Sequence, residues 1–559
     1  MRFRATVATL TALLALAACG PGPEPTSDAS ATTSATASAT AGPGGVVEHR
    51  IAVDGGRFID TDAGDASWTP RGVNYVRVVG GRDRVFAPGV WDTARVDADF
   101  ASLAADGYNA VRMFLDGCNL GPDCIAEADA PGLNAAYLDN IATATHLASD
   151  HGLVLLLTSN DLPDGGPYRT ISARDDGSDF PGYRNSDFLT ASGHEAMARY
   201  WDDLMQGLAD AGADFSSVWA WSILNEHWLF EEQPPLSLTS GEVTTATGTY
   251  DMADAASKRA MVIDGTRAMI ADVRTEILAH DPEALVTMGF FVPNFPTLVN
   301  PSRTWYSDTA PLVDSSDLDF FDFHAYFGEG TPVTTYTANF GVTDAKPTVM
   351  GEYGGFVHDY FDADTVALDA QRWMAASCPL GWDGWLYWGY ERLPLDDATW
   401  SFTDASGRLQ DALAPVTWTD PCTVNLVDPN LAHGARVFAS AELPEHPASA
   451  AVDGDFSTRW RSGASAPQWI QVDVGSGTPI GAIELVVEQW PAGHTVHQVE
   501  VINAVERREV HRFEGDTADG DVLHVDFPEP LTGVVSVRVT TIESPSWVSW
   551  YEVRVLAAD

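Results

Sequence analysis

Between Val46 and about Asp420, eight short apolar runs alternate with longer segments of helical character, and this alternation restricts the fold more than any other feature. The runs are Gly72 to Tyr75, Ala110 to Phe114, Val154 to Thr158, Val218 to Leu224, Ala284 to Met288, Phe320 to His324, Thr348 to Gly351 and Gly384 to Trp388. Such a pattern is that of repeated β-α units around a parallel sheet, and eight units are the number that closes a (β/α)8 TIM barrel. Between the runs, Ser192-Gly193-His194-Glu195 has capping-box spacing, and Met197, Trp201, Leu204 and Leu208 follow at helical intervals. Gly212 can end that helix. Asp251 to His280 and Asp364 to Ala376 are also helix-like.

A chain of 559 residues exceeds one ordinary hydrophobic core, so two or more domains are expected. After Cys422 the texture changes. From Asn425 to Asp559 there are short β-branched runs, frequent Gly and Pro turns and no helical periodicity, which predicts an all-β sandwich. The expected fold is therefore an α/β barrel over 46–420 followed by an all-β domain over 425–559.

The N-terminus reads as an export signal over residues 1–18: Arg2 and Arg4 precede an apolar stretch, Ala5 to Ala18, too short to span a bilayer. It ends in Leu16-Ala17-Ala18-Cys19, which resembles the lipobox of bacterial lipoproteins, in which the cysteine is lipidated and becomes the new N-terminus. Residues 19–45 are almost wholly Gly, Pro, Ser, Thr and Ala beyond that cysteine, a composition that cannot bury enough apolar surface to offset ordering entropy. They read as a disordered tether. The protein is expected to be exported and lipid-anchored at the outer face of a bacterial cell membrane. An oxidising exterior favours disulfides among the four remaining cysteines, and the most local pairing joins Cys118 to Cys124 and Cys378 to Cys422. A net charge of −48 repels phosphates at long range, so no nucleic-acid partner is expected.

In a closed barrel, residues at the carboxyl ends of the strands converge on one face. Here Arg112 lies in the second run, Asn225 and Glu226 end the fourth, His324 and Tyr326 end the sixth, Glu352 ends the seventh and Trp388 ends the eighth. Acidic side chains at the mouths of buried strands are costly to place. Two carboxylates about 5–5.5 Å apart suit a retaining glycosidase, and a gap of about 6.5–9.5 Å an inverting one. Arg112 beside Glu352, with Tyr326 donating a hydrogen bond, would favour an ionised nucleophile there. Ile223, Leu224 and Trp228 would desolvate Glu226 and keep it protonated, as a general acid needs. Trp219 and Trp221 read as core; Trp228, Trp305, Trp382 and Tyr390 are candidates for lining sugar subsites.

This ordered set resembles glycoside hydrolase clan A, most nearly family 5, over roughly Val46 to Ala414; Arg71-Gly72-Val73-Asn74 and Asn109-Ala110-Val111-Arg112 resemble that family's first two strands. The resemblance implies a retaining mechanism with Glu226 as acid/base and Glu352 as nucleophile, no catalytic cofactor, Asn225 on the sugar 2-hydroxyl and Trp388 as the platform under the sugar being cleaved. Two features depart from the family's pattern. The third strand ends in Leu157-Thr158-Ser159-Asn160-Asp161 without the frequent His, as in the mannanase-like branch, and His227 rather than Pro follows Glu226.

Within the C-terminal region, Asn430-Leu431-Ala432, Pro447 to Asp453, Thr458-Arg459-Trp460 and Gln468 to Asp473 resemble a discoidin, or coagulation factor 5/8 type C, domain, whose relatives on bacterial glycosidases are carbohydrate-binding modules of family 32. The resemblance spans about Asn425 to Leu556. Such folds often hold a structural calcium on hard oxygen ligands, and Asp453, Asp455, Thr458 and Glu552 are the candidate ligands. Trp460 and Trp469 read as core, and Trp490, Trp547 and Trp550 as candidates for stacking on sugar.

The reading that emerges is a lipid-anchored, monomeric glycosidase acting on polysaccharide or oligosaccharide, with β-mannan favoured. Two alternatives stand beside it: a catalytically silent surface carbohydrate-binding or adhesion protein, and the same chemistry on β-glucan or glycoconjugates. For the anchor, mass spectrometry of the mature N-terminus is expected to find a lipidated Cys19; an unmodified residue other than Cys19 there would refute it.

Overall fold

The structure is a computed structural model that describes residues 49–558 apart from 80–81, 118–119, 122, 127–131, 175–176, 178–179, 181, 294–304, 329–330, 361, 395–397, 476 and 504. Cys19, the export signal and the tether thus lie outside the described residues, as does Cys118. Two compact units are present: one of residues up to Tyr326, Thr331–Gly354 and Met374–Cys422, the other of Phe327–Gly330, Gly355–Trp373 and Thr423–Asp559.

The first unit is a parallel β/α barrel. Its strands, in chain order, are Arg71–Asn74, Ala110–Phe114, Val154–Thr158, Val218–Ser222, a fifth split into Val286–Thr287 and Gly289–Phe290, then Phe321–His324, Thr348–Tyr353 and Gly384–Trp388. Neighbours in sequence pair in parallel around the ring, and the eighth pairs with the first. The two pieces of the fifth strand complete the circuit. Val286–Thr287 pairs with the fourth strand and Gly289–Phe290 with the sixth. Full burial of the second, third, fourth and seventh strands is what both-face coverage of a parallel sheet produces.

The split has a local cause in Gly289. A Cβ there would stand 1.7 Å from the carbonyl oxygen of Asn225, so only glycine lets the fifth strand press against the end of the fourth. Backbone bonds then lock the contact: Gly289 N–H donates to Leu224 O at 2.8 Å and His227 N–H donates to Gly289 O at 2.9 Å. The Asn225-Glu226 corner is therefore braced by backbone.

An antiparallel sheet absent from the sequence reading, Ile51–Asp54, Arg57–Asp60 and Ala66–Trp68, precedes the first barrel strand. It delivers Phe58 and Trp68 onto Trp219 and Phe320, near the amino ends of the fourth and sixth strands, with ring centroids 5.0–5.8 Å apart. Burying each such ring is worth roughly 4–6 kcal/mol before ordering entropy is subtracted. Trp219 and Trp221 are core residues, as expected.

Helix ends show where local signals were misplaced. The helix Ala191–Asp210 is capped by Thr190, whose hydroxyl accepts Gly193 N–H at 3.0 Å, and not by Ser192, which is already inside the first turn and donates to Ser172 O. Met197, Trp201, Leu204 and Leu208 form its buried face, and Gly212 at φ +75° follows its end. Asp254 caps Ala255–His280.

In the second unit, a five-stranded sheet ordered Arg436–Ala439, Gln468–Asp473, Ser536–Glu543, Gly493–Ile502, Arg507–Thr517 and a four-stranded sheet ordered Trp460–Ser465, Trp547–Ala557, Ile480–Val487, Val522–Leu531 make an antiparallel sandwich. Trp460, Trp550, Ile470, Leu485, Val499, Val539 and Val553 fill its core. Gly355–Trp373, which the sequence reading left in the barrel, groups with this unit. Buried Arg554 reaches both Glu484 and Asp362 at 2.5 Å, and Gln371 accepts the N–H groups of Asn425 and Leu426.

Cys378 and Cys422 form a disulfide across a sequence separation of 44 residues. A loop of that length makes the bond worth about 2–4 kcal/mol through the unfolded state. Cys422→Ser is thus expected to lower the barrel's melting temperature, measured by calorimetry, and an unchanged transition would show the crosslink to be dispensable.

Candidate active site

Arg112, at the centre of the otherwise apolar second strand, is fully buried, and the barrel supplies its partners strand by strand. Its Nη1 donates to Asn74 Oδ1 at 2.9 Å and Glu352 Oε1 at 2.8 Å. Its Nη2 donates to Asn225 Oδ1 at 2.8 Å and faces His324 Nε2 at 3.3 Å. Tyr326 donates its hydroxyl to Glu352 Oε2 at 2.8 Å. On the opposite ring nitrogen, His324 Nδ1 lies 2.8 Å from Glu226 Oε1 and 3.3 Å from Glu352 Oε2. Glu226, His324 and Glu352 each bring one polar atom within 4.8 Å of the others. Strand ends far apart in sequence thus meet at one point.

Trp388, half-buried at the end of the eighth strand, stands edge-on to Phe114 at 5.7 Å and 81°. Asn74 is a site residue that the family likeness of its segment pointed to without a role. It turns its Oδ1 to Arg112 and its amide to the carbonyls of Gly351, Leu386 and Tyr387, so it ties the first, seventh and eighth strands to the guanidinium.

The electrostatics differ from expectation in one respect. Glu352 is the more deeply buried acid, with its side chain 5% exposed against 11% for Glu226, so the desolvation expected at Glu226 falls on Glu352. Burial raises the Glu352 carboxyl above its ordinary value, and the nearby Glu226 adds to this, although His324, Arg112 and Tyr326 pull it down. His324 also lies above its ordinary value: burial works against its charge, but Glu352 and Glu226 outweigh that.

Among the candidate subsite aromatics, Trp382 and Tyr390 are buried and hydrogen-bonded to Thr337 and Asp99, so they belong to the core. Trp228 and Trp305 stack on one another at 4.0 Å and 14°, with Arg184 over Trp228 at 4.1 Å. The third strand ends on buried Asp116, which accepts from Ser159 Oγ at 3.1 Å and from the backbone of Asn160 and Asp161. An acidic side chain thus caps the turn that follows the third strand.

In the sandwich, Trp550 is 1% exposed and belongs to the core, against expectation, because the strand Trp547–Ala557 turns it inward. Trp490 and Trp547 are 86% and 55% exposed and remain as stacking candidates. Trp460 is core as expected; Trp469 is only half-buried, with Arg538 over its ring at 3.8 Å. Of the candidate calcium ligands, Thr458 donates to Asp453 Oδ2 at 2.8 Å, and Asp455 Oδ1 is engaged by Ser457 N–H. Glu552 accepts Gly454 N–H at 2.6 Å through Oε1, and its buried Oε2 has no hydrogen-bond partner. Calcium takes several converging oxygens, and among the described residues only Glu226, His324 and Glu352 bring three acid or imidazole ligand atoms within 4.8 Å of one another, so Asp453, Asp455 and Glu552 do not by themselves make a calcium site.

Residues 437–553 match the family model of the F5/8 type C domain. Among curated proteins none matches this sequence. The chain is similar in structure to the endo-1,4-beta-mannanase of Rhizomucor miehei, at 17% identity and a TM-score of 0.47 over 66% of this chain and 99% of that one. Beta-mannanase of the blue mussel Mytilus edulis is similar at 18% identity and a TM-score of 0.41, over 68% of this chain and 99% of that one. The family 32 carbohydrate-binding module of C. perfringens NanJ, solved with galactose, is similar at 22% identity and a TM-score of 0.20, over 22% of this chain and 93% of that one.

Glu552 makes the sandwich pH-sensitive. Burial pushes its carboxyl up to about 8. The folded state therefore binds more protons than the unfolded state between the ordinary carboxylate range and about pH 8, and stability falls as pH rises through that window. Glu552→Gln is expected to flatten the pH dependence of the melting temperature, measured by calorimetry; an unchanged dependence would show that another group is its source.

Proposed function

We propose that this chain is a retaining glycoside hydrolase that cleaves β-linked polysaccharide or oligosaccharide, with β-mannan the favoured substrate. The carrying observation is the pair Glu226 and Glu352, each with a carboxylate oxygen within 4.8 Å of the other's. That spacing supports direct attack by one carboxylate, since an inverting pair needs about 6.5–9.5 Å to seat a water.

Hydrogen-bond direction separates the roles. Both oxygens of Glu352 face donors, Arg112 at Oε1 and Tyr326 at Oε2, which favours the anion and orients it. Glu226 has His324 on Oε1. Glu226, which among the described residues is not met by donors on both oxygens in this way, is accordingly assigned the acid role. In the first step Glu226 protonates the leaving glycosidic oxygen while Glu352 attacks the anomeric carbon, forming a glycosyl-enzyme ester. In the second, Glu226 takes a proton from water, which attacks the same carbon and releases Glu352. Asn225, whose Oδ1 is held by Arg112, presents its amide to the sugar 2-hydroxyl, and Trp388 offers a face beneath the ring.

The preference for β-mannan rests on the resemblance of the His-less third strand to the mannanase-like branch. The F5/8 type C domain supports a sugar-binding role for the second unit, with Trp490 and Trp547 as stacking faces. A lipidated Cys19 would keep the monomeric enzyme at the outer membrane face, next to polymeric substrate.

Hydrolysis should be measured across β-mannan, β-glucan and aryl glycosides, with the anomeric proton of the first product followed by NMR. The β-anomer is expected first, and Glu352→Ala is expected to lower kcat by at least about 10³-fold. An α-anomer formed first would overturn retention, and wild-type protein inert toward every glycan would favour the binding-protein reading.

A further inference from the structure

Asp322, two residues before His324 on the sixth strand, is fully buried and has no hydrogen-bond donor on either oxygen among the described residues. Its neighbours are two nitrogen bases. Oδ2 lies 3.3 Å from Arg112 Nε and Oδ1 lies 3.6 Å from His324 Nε2. The other four guanidinium hydrogens of Arg112 are directed at Asn74, Glu352, Asn225 and His324, so Nε is the donor left for Asp322. Space for this carboxylate is made by Gly351, where a Cβ would stand 1.6 Å from Asp322 Oδ1. The seventh strand omits a side chain immediately before Glu352, and an acid from the neighbouring sixth strand occupies the place.

A carboxylate in that position must be compensated, and it has a use. Arg112 Nη2 directs a hydrogen at His324 Nε2 at 3.3 Å, so that nitrogen is an acceptor and Nδ1 carries the proton toward Glu226; a further proton on Nε2 would meet the guanidinium unless Asp322 Oδ1, 3.6 Å away, accepted it. Asp322 has one oxygen toward Arg112 Nε and the other toward the imidazole nitrogen that would gain the proton.

We propose that Asp322 is a positioning residue of the active site, acting through Arg112 and His324: it turns the guanidinium toward Glu352 and favours a further proton on the imidazole at the Nε2 that faces it. Its effect on turnover rests on the glycosidase reading; its effect on His324 does not. The charged and titratable groups that face His324 are Glu226 from the fourth strand, Arg112 from the second, Glu352 from the seventh, and Asp322 and Tyr326 from its own segment.

The test is Asp322→Asn, close in shape and without charge, in the full chain. Imidazole ¹⁵N NMR, assigned by the loss of the signal in His324→Gln, follows the His324 titration. Its midpoint is expected to fall by about one pH unit or more in Asp322→Asn. For turnover, kcat is expected to drop about tenfold or more with KM nearly unchanged, and the same substitution in a His324→Gln background to cost less than about threefold, because the two act as a unit. A folded Asp322→Asn protein with an unchanged His324 midpoint overturns the proposal. So does a wild-type His324 that titrates below its ordinary value of 6.5, which needs no variant. Should Asp322→Asn fail to fold, the smaller neutral Asp322→Ser is titrated with the same outcomes. If the wild type cleaves no glycan, the NMR result still decides the role of Asp322, so failure of the glycosidase reading is seen separately.

Discussion

The guanidinium of Arg112 is buried completely, and an unpaired charge in that position would cost several kcal/mol, so the barrel can close only with partners arranged around it. Those partners come from the first strand (Asn74), the end of the fourth (Asn225), the sixth (His324 and Asp322) and the seventh (Glu352). One charge therefore holds together residues that the chain separates by up to 278 positions, Asn74 to Glu352. A site assembled in this way is rigid because each member is over-determined by others. The same device makes the fold depend on its chemistry: removing one partner leaves another buried polar group unmatched.

Two glycines set the geometry that the charge exploits. Gly289 lets the fifth strand reach the carbonyl of Asn225, and Gly351 leaves room for the carboxylate of Asp322. Neither requires a left-handed backbone. Both are close-approach positions, where a single methyl group would push backbone or carboxylate away from the two acids. The asymmetry between those acids follows. Glu352 sits deeper and is met by donors on both oxygens, while Glu226 lies nearer solvent with the imidazole as partner.

The eight apolar runs were legible as barrel strands because burial on both faces writes a strand as a continuous apolar stretch. The second, third and eighth agree to the residue with Ala110–Phe114, Val154–Thr158 and Gly384–Trp388. The fifth was read as one strand, and its break at Met288 was missed because the reason for it, the approach of Gly289 to Asn225, lies in another strand. The sheet over Ile51–Trp68 escaped notice because its stabilising contacts, Phe58 and Trp68 on Trp219 and Phe320, are all long-range. Trp550, Trp382 and Tyr390 were held open as sugar contacts since an aromatic residue carries no sign in sequence of which way it faces.

By itself, then, the sequence determined the order and kind of the elements and the identity of the polar residues at the strand ends, since periodicity and the cost of placing charge beside apolar runs are local properties. Tertiary structure decided which acid is buried deeper, which nitrogen of His324 meets which carboxylate, and that Asp322 stands behind both Arg112 and His324. Those outcomes depend on distances between strands, and distances between strands exist only once the barrel has closed.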